Sequence, residues 1–523
     1  MRSTFHTLEI GKRGIMAHQT AISTTGHNIT NANTPGYSRQ VANMTAARPI
    51  DFPGISNSSK NPNQLGMGVE VDSIKRVRDF LLDIEYRNQN TVNSTWKVTQ
   101  ETMSNIEGVF NEPSNNSIAK SVSEFWNAWQ LLSKNPSNSD LSARTVVQQK
   151  AIALTETFGH ISSQLNVLSN NLTERINVKV NEANNYIGQI SELTQMVKRI
   201  EGLGDNANDL RDKRDLLVDK LSNLGNVRVI EGTDESYQVM FGNALVVDNM
   251  ESTPIAIGDT AGLTDGEIRG YIESRDIHVA EYSRQLDIMA NTVANGPVEV
   301  TLPAGSILPP GVVIQNAVMD PANPRKLMND TKYTVNGLNG LHKLGYNLQT
   351  PTQSGLDFFV AAGGGTTITA NNIRINSAIE ADVKNIAASM RTENRPGPNN
   401  TTQEVVLQGN GDMALMIASL AEKVYTFTQP GSITSSATIN GYVQSVVAQL
   451  GTDSDHAKKM LQNSQLLADH ANTLRQAVSS VSLDEEMSNL IKFQHAYSAS
   501  SRIVTTMDQM LDKLINSTGV VGR

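Results

Sequence analysis

Apolar positions recur at helical spacing over long stretches of the chain. Between residues 142 and 201, Val147, Ala151, Leu154, Phe158, Ile161, Leu165, Leu168 and Leu172 step by four and three. Ile176 and Val180 shift the phase, and Ala183, Ile187 and Ile190 resume it, as at a coiled-coil stutter. The spacing predicts one helix of ~60 residues, about 90 Å at 1.5 Å per residue, and with it an elongated molecule. Ile268, Ile272, Arg275, Val279, Tyr282, Leu286, Met289 and Val293 repeat the step, as do Met460, Ser464, Leu467, Ala471, Leu474, Val478 and Val481. A shorter helix over 205–224 carries Leu210, Leu217, Leu221 and Leu224, with Arg211, Asp212, Lys213, Arg214 and Asp215 on a face expected to be solvated.

Both chain ends read as amphipathic helices. Leu8, Ile15, Ile22 and Ile29 fall on every seventh residue, and Gly11, Gly14, Ala17 and Ala21 lie beside that seam. Small residues there let another backbone come close, although the spacing equally suits a helix packed on its own domain. At the other end, Ser482-Leu483-Asp484-Glu485 matches a capping box, and Asp484, Glu485 and Glu486 suit the positive end of a helix. Met487, Leu490, Gln494, Tyr497, Ser501, Val504, Met507, Leu511 and Leu514 then define one face, and Gly519 is expected to end the helix.

Between the helices lie short β-like stretches. Residues 227–230 and 237–241 flank Gly232-Thr233-Asp234-Glu235 as a hairpin, with 244–247 as a third strand. Residues 296–334 hold six prolines and alternating pieces, which suggests an inserted β/loop lobe. Residues 356–380 read as short strands and 392–402 as a loop. The expected fold is mainly α with β insertions, an elongated multi-domain rod. Residues 1–60 and 482–523 would pair as a terminal, inner coiled-coil domain. Residues 61–295 and 335–481 would form a long-helix bundle carrying the 226–258 hairpin region and the 356–380 strands, with 296–334 as the inserted lobe.

Composition narrows the chemistry. Lys and Arg number 43 against 52 Asp and Glu, a net charge of −9 over 523 residues, so neither nucleic acid nor an anionic membrane is an expected partner. Cysteine is absent, which removes disulfides, thiolate metal sites and cysteine nucleophiles. No apolar stretch of signal-peptide length follows Met1, and the longest near-apolar run, Met413–Ala421, is too short to cross a bilayer. Gly363-Gly364-Gly365-Thr366-Thr367 lacks the Gly-Lys of a phosphate loop. Asp453-Ser454-Asp455 lacks the Gly and closing Glu of a calcium loop and is expected to cap a following helix. No catalytic, cofactor-binding or metal-ligating residue is assigned, and no enzymatic activity is expected.

The segment Asn28-Ile29-Thr30-Asn31-Ala32-Asn33-Thr34-Pro35-Gly36-Tyr37-Ser38-Arg39-Gln40 resembles the signature after the first helix of bacterial flagellar rod, hook and hook-associated proteins. Pro35-Gly36 suits the centre of a type II turn. The runs 483–497 and 506–516 resemble the terminal helix of the same family. Asn208-Asp209-Leu210-Arg211-Asp212-Lys213-Arg214-Asp215, Gly266-Glu267-Ile268-Arg269-Gly270-Tyr271-Ile272 and Leu341-His342-Lys343-Leu344-Gly345-Tyr346-Asn347 resemble its hook-associated branch. The resemblance implies a structural subunit at the junction of hook and filament, polymerising through its terminal helices; a distal rod or hook subunit is the alternative within the family. It implies a homo-oligomer in a tubular lattice, contacting the hook protein and a second, adaptor hook-associated protein next to the filament. An export chaperone and the type III export apparatus are further implied partners, with an extracellular place on the flagellum and no cleaved signal peptide. The implied assembly surface comprises Leu8, Ile15, Ile22, Ile29, Asn31, Pro35, Gly36, Tyr37, Met487, Leu490, Phe493, Tyr497, Val504, Leu511 and Leu514.

Overall fold

The computed structural model describes residues 5–51, 64–110, 117–232, 236–315, 317–396, 402–427 and 429–517. The turn expected at 233–235, the centre of the 392–402 segment and Gly519 lie outside these residues, as do 52–60 and the extreme ends of the expected terminal domain. The helices are α1 (Phe5–Asn31), α2 (Phe80–Phe110), α3 (Ile118–Lys134), α4 (Ser142–Glu201), α5 (Asn208–Leu224), α6 (Glu267–Glu273), α7 (Ala280–Asn295), α8 (Gly337–His342), α9 (Ser377–Ala381), α10 (Asp412–Ser419), α11 (Ile439–Ser479) and α12 (Leu483–Ser517). Small antiparallel sheets punctuate them. The chain divides into two compact units, one of residues 1–97, 176–270 and 461–523, the other of 98–175 and 271–460. Their boundaries fall at other places than those of the three regions expected from the sequence.

The long apolar array of α4 is a buried stripe: every member from Val147 to Ile190 is buried except Leu168, which is half-buried. The array over 268–293 behaves differently at its centre. Residues 274–279 form a π-turn between α6 and α7, so burial steps from Ser274 by five to Val279. One extra residue there leaves Ile272 and Arg275 half-buried. The third array is corrected more strongly. From residue 457 onward the buried positions of α11 are Ala457, Ser464, Ala468 and Ala471, while Leu467, Leu474 and Val478 are exposed. Asp453 does not cap a helix but lies within α11, where it accepts a hydrogen bond from the Tyr282 hydroxyl (2.7 Å).

In the first unit, strand Gln40–Ala46 pairs antiparallel with Val69–Arg76. Val227–Glu231, Tyr237–Phe241, Ala244–Asp248 and Glu251–Ser252 form a four-stranded meander, of which the hairpin spacing predicts the first three strands. Alternation within Tyr237–Phe241 buries Tyr237, Val239 and Phe241.

The second unit gathers much of the chain's sparse aromatic content. Phe125 and Trp129 on α3 meet Phe358, Phe359 and His342, with ring centroids 5.0–6.4 Å apart. Strand Pro297–Leu302 pairs antiparallel with Thr331–Asn336 and buries Val298, Val300 and Leu302. The Ile307 amide donates to Met390 O (2.8 Å), and Arg325 pairs with Glu404 (2.6 Å). The 296–334 segment is therefore woven into this unit rather than appended to it. The stretch expected as a loop at 392–402 carries two paired strands, Thr392–Pro396 and Thr402–Val406. Phe359–Ala361 and Ile373–Ile375 pair as expected for 356–380.

His342 sits at the centre of this unit, fully buried. Its Nδ1 lies 2.6 Å from Leu356 O, and the Ala387 amide donates to Nε2 (2.9 Å), which fixes the neutral imidazole. Burial pushes its pKa down to about 4. The folded pKa lies below the unfolded value near 6.5, so this contribution is complete above pH 6.5 and is lost as pH falls towards 4. About 2 kcal/mol of stability should vanish between pH 7 and pH 5. Denaturant titrations at the two pH values, on the native chain and on His342→Gln, check this. Equal pH dependence in both proteins would refute it.

Candidate assembly interface

The paired chain ends form the most organised polar site of the first unit. Helices α1 and α12 pack antiparallel through small residues. A Cβ added at Gly11 would lie 2.8 Å from Val504 Cγ2, and one at Gly14 would lie 2.7 Å from Ser500 Oγ. The buried face of α1 is Gly11, Gly14, Ala17, Ala21, Thr24, Thr25 and Asn28. Leu8, Ile15, Ile22 and Ile29 are half-buried beside this stripe rather than forming its centre. Side chains that small let the helix backbones approach closely and push the larger seam residues to the flanks.

Below α1, Thr34-Pro35-Gly36-Tyr37 closes a turn, with the Tyr37 amide donating to Thr34 O (3.2 Å). Gly36 has φ +79°, the left-handed value a type II turn requires at that position. The turn aims Tyr37 at Asn28. The Asn28 carboxamide is buried and uses its full bonding capacity. Its Nδ2 donates to Gln40 O (2.8 Å) and Glu486 Oε2 (2.9 Å), while its Oδ1 accepts from Tyr37 Oη (2.8 Å) and the Gln40 amide (3.0 Å). Burial, reinforced by Asp209, Asp212 and Glu486, raises the Tyr37 pKa well above the usual phenol range, so the hydroxyl stays a donor.

Arg39 completes the cluster. Its Nε donates to Glu486 Oε1 (2.8 Å), its Nη1 lies 3.3 Å from Glu485 Oε2, and its amide donates to Ser479 O (2.9 Å). Ser482 caps α12 by accepting from the Glu485 amide at 3.5 Å. Glu486, read in the sequence only as an acidic residue at a helix start, is thus buried between Asn28 and Arg39.

The signature segment also docks on α5. The Ser38 amide donates to Asp212 Oδ2 (2.9 Å) and Gln40 Nε2 to Asp209 Oδ1 (2.8 Å). Of the charged residues of α5 expected to be solvated, Asp212, Arg214 and Asp215 are buried, together with Asp219, while Arg211 is half-buried and Lys213 is exposed. Arg76 Nη1 reaches Asp212 (2.7 Å) and Asp215 (2.8 Å), and Arg78 reaches Asp83 (2.6 Å) and Asp215 (3.0 Å). Arg87 and Arg475 both hold Asp219, at 2.7 and 2.6 Å. Asp83, Asp212, Asp215 and Asp219 thus meet Arg76, Arg78, Arg87 and Arg475, and Arg214 pairs with Glu231 (3.0 Å), so the charges balance. Burial pushes the Asp215 carboxyl up, but Arg78, Arg76 and Arg87 outweigh it and hold the group below the usual carboxylate range. Spacing alone could not reveal this, because the partners come from residues 76–87 and 475.

The sequence-derived surface residues separate into two groups. Val504 and Phe493 face α1, the latter stacked with His18 at 6.4 Å, and Asn31 and Tyr37 join the signature turn. Pro35 and Gly36 are exposed at its tip, and Leu490 and Leu511 are half-buried. Met487, Tyr497 and Leu514 are exposed, as are Leu483, Ile491, Ile503 and Met510. Asn28, Gln40, Asp209, Asp212 and Glu486 were not singled out from sequence. Asn28 and Gln40 stand inside the signature, and that is the signal that could have found them.

Among the described residues there is no cluster of three His, Asp or Glu that could hold a metal ion, and no helix is long and apolar enough to cross a membrane. Residues 8–37 match the model of the flagella basal body rod protein, and 476–517 match that of the flagellar basal body rod FlgEFG protein C-terminal. The two matched ends are those that α1, the signature turn and α12 bring together. Residues 103–297 match the flagellar hook-associated protein FlgK helical domain. The chain is 32% identical to flagellar hook-associated protein 1 of Bacillus subtilis (strain 168), over 100% of both chains. It is 23% identical to the protein of that name from Escherichia coli (strain K12), over 96% of this chain and 98% of the other. The chain belongs to the flagellar hook-associated protein 1 family. The structure of the flagellar hook junction protein FlgK from Burkholderia pseudomallei shares the fold, with a TM-score of 0.50 over 76% of this chain and 100% of that one, at 13% identity.

Proposed function

We propose that this chain is a non-enzymatic structural subunit of the hook–filament junction, and that it polymerises through the outward faces of α1 and α12 after type III export. The observation that carries this is the exposed apolar surface of α12. Met487 and Ile491 near its start, and Met510 and Leu514 near its end, are each at least half exposed, two apolar patches that await neighbours. Of the residues expected for assembly, Met487, Tyr497 and Leu514 are exposed on α12, and Leu8, Ile15, Ile22 and Ile29 are half-buried along α1. The partners are further copies of this chain in a tubular lattice, the hook protein, and an adaptor hook-associated protein on the filament side. Before export, a chaperone would shield the C-terminal helix; the final place is extracellular.

Deleting the gene should leave hooks without filaments and release unassembled filament protein into the medium. An epitope-tagged chain on isolated flagella should label one narrow band at the hook–filament boundary. Label spread along the hook would replace the junction reading with a hook subunit.

A further inference from the structure

We infer that the buried Asn28–Glu486–Arg39 cluster is a register pin, which fixes how far α12 slides along α1. The inference rests on the proposed use of these helices in assembly, since the pin sets which outward residues of the two helices line up.

The small-residue seam cannot set register by itself. Gly11, Gly14, Ala17, Ala21 and Thr24 follow one another at steps of three and four along the buried face of α1. A one-turn slip of α12, about 5.4 Å, would set its side chains against another Gly, Ala or Thr. Packing then changes little, because the stripe repeats itself under that shift. The polar end behaves oppositely. Asn28 and Glu486 are 1% and 2% exposed, and they meet at 2.9 Å. The same slip would carry Glu486 beyond hydrogen-bonding reach of both Asn28 and Arg39. A buried carboxylate and a buried carboxamide would be left short of partners, the costliest outcome available at this interface. A single polar contact that fixes register in an otherwise permissive helix pair has precedent in coiled coils. Arg39, bonded to Ser479 O as well as to Glu486, ties the pin to the end of α11.

Absence of cysteine makes the inference directly measurable in the full-length chain. A Cβ at Gly14 would lie 3.3 Å from Ser500 Cβ, close to the spacing within a disulfide. Gly14→Cys with Ser500→Cys therefore reports native register. Gly14→Cys with Ala496→Cys, or with Val504→Cys, reports a slip of one turn in either direction. At dilute protein, mild oxidation should join the native pair at least about tenfold faster than either slipped pair. Adding Glu486→Ala should shrink that preference to about threefold or less, with helix content unchanged. Glu486→Gln, which keeps an acceptor for Asn28, should retain most of the preference even if Glu486→Ala compromises folding. An undiminished preference in Glu486→Ala, or equal loss in the Gln and Ala variants, would overturn the pin. Junction assembly by each variant is scored separately in cells. Normal junctions in a chain whose outward α12 residues carry charges would sink the assembly reading, whatever the cross-links show.

Discussion

Asp219→Ala should unfold the first unit under conditions where the native chain is stable. Asp219 is the shared partner of Arg87 and Arg475, at 2.7 and 2.6 Å. Arg87 is itself buried, and its remaining acidic neighbour, Asp215, is 3.9 Å away. Removing one partner of a buried ion pair leaves a desolvated charge, and such changes cost about 3–5 kcal/mol. That is a large fraction of the 5–15 kcal/mol by which folded domains are generally stable. The exposed pair Lys332–Glu299 supplies the contrast, since Lys332→Ala should change stability by under about 1 kcal/mol. Urea titrations followed by circular dichroism compare the two. A shift for Asp219→Ala no larger than that for Lys332→Ala would show that the buried cluster is dispensable.

Met487→Asp should leave the purified chain folded and abolish the junction. Met487 is 53% exposed, one residue past the pin on the first turns of α12. A carboxylate near a helix N-terminus is electrostatically favourable, so the isolated chain should melt within a few degrees of the native one. Buried against a neighbouring subunit, the same carboxylate would be unpaired and would cost several kcal/mol at every contact. Cells should build hooks, export the variant, shed filament protein and fail to swim. Ile22→Asp addresses the same surface from α1, but Ile22 is already half-buried in the single chain, so a folding defect would confuse the outcome. Normal filaments with Met487→Asp, or a purified variant that no longer folds, would remove this helix face from the assembly surface.

How much of this was legible beforehand depended on whether the partner of each residue was local. The 60-residue helix Ser142–Glu201 could be read from its four-three array because burial of one continuous stripe depends on the chain's own periodicity. The capping residue Ser482, the Pro35-Gly36 turn and the first three strands of the meander after Gly225 were readable for the same reason, since each is set by a few adjacent residues. The class of protein was readable from its ends, where an unusual run of Asn, Thr, Pro, Gly and Tyr meets a second signature over 483–516.

Tertiary structure alone decided the rest. Whether the charges at 211–219 face water or an interior depends on arginines that lie more than a hundred residues away in sequence. Which apolar residues of α11 and α12 are covered depends on small partners: Ala468 and Ala471 sink into the helix pack while Leu467 and Leu474 stay outside. Periodicity marks a face but not which face finds a neighbour. Asn28 and Glu486 are 458 residues apart, and their meeting follows only from the antiparallel return of α12 along α1.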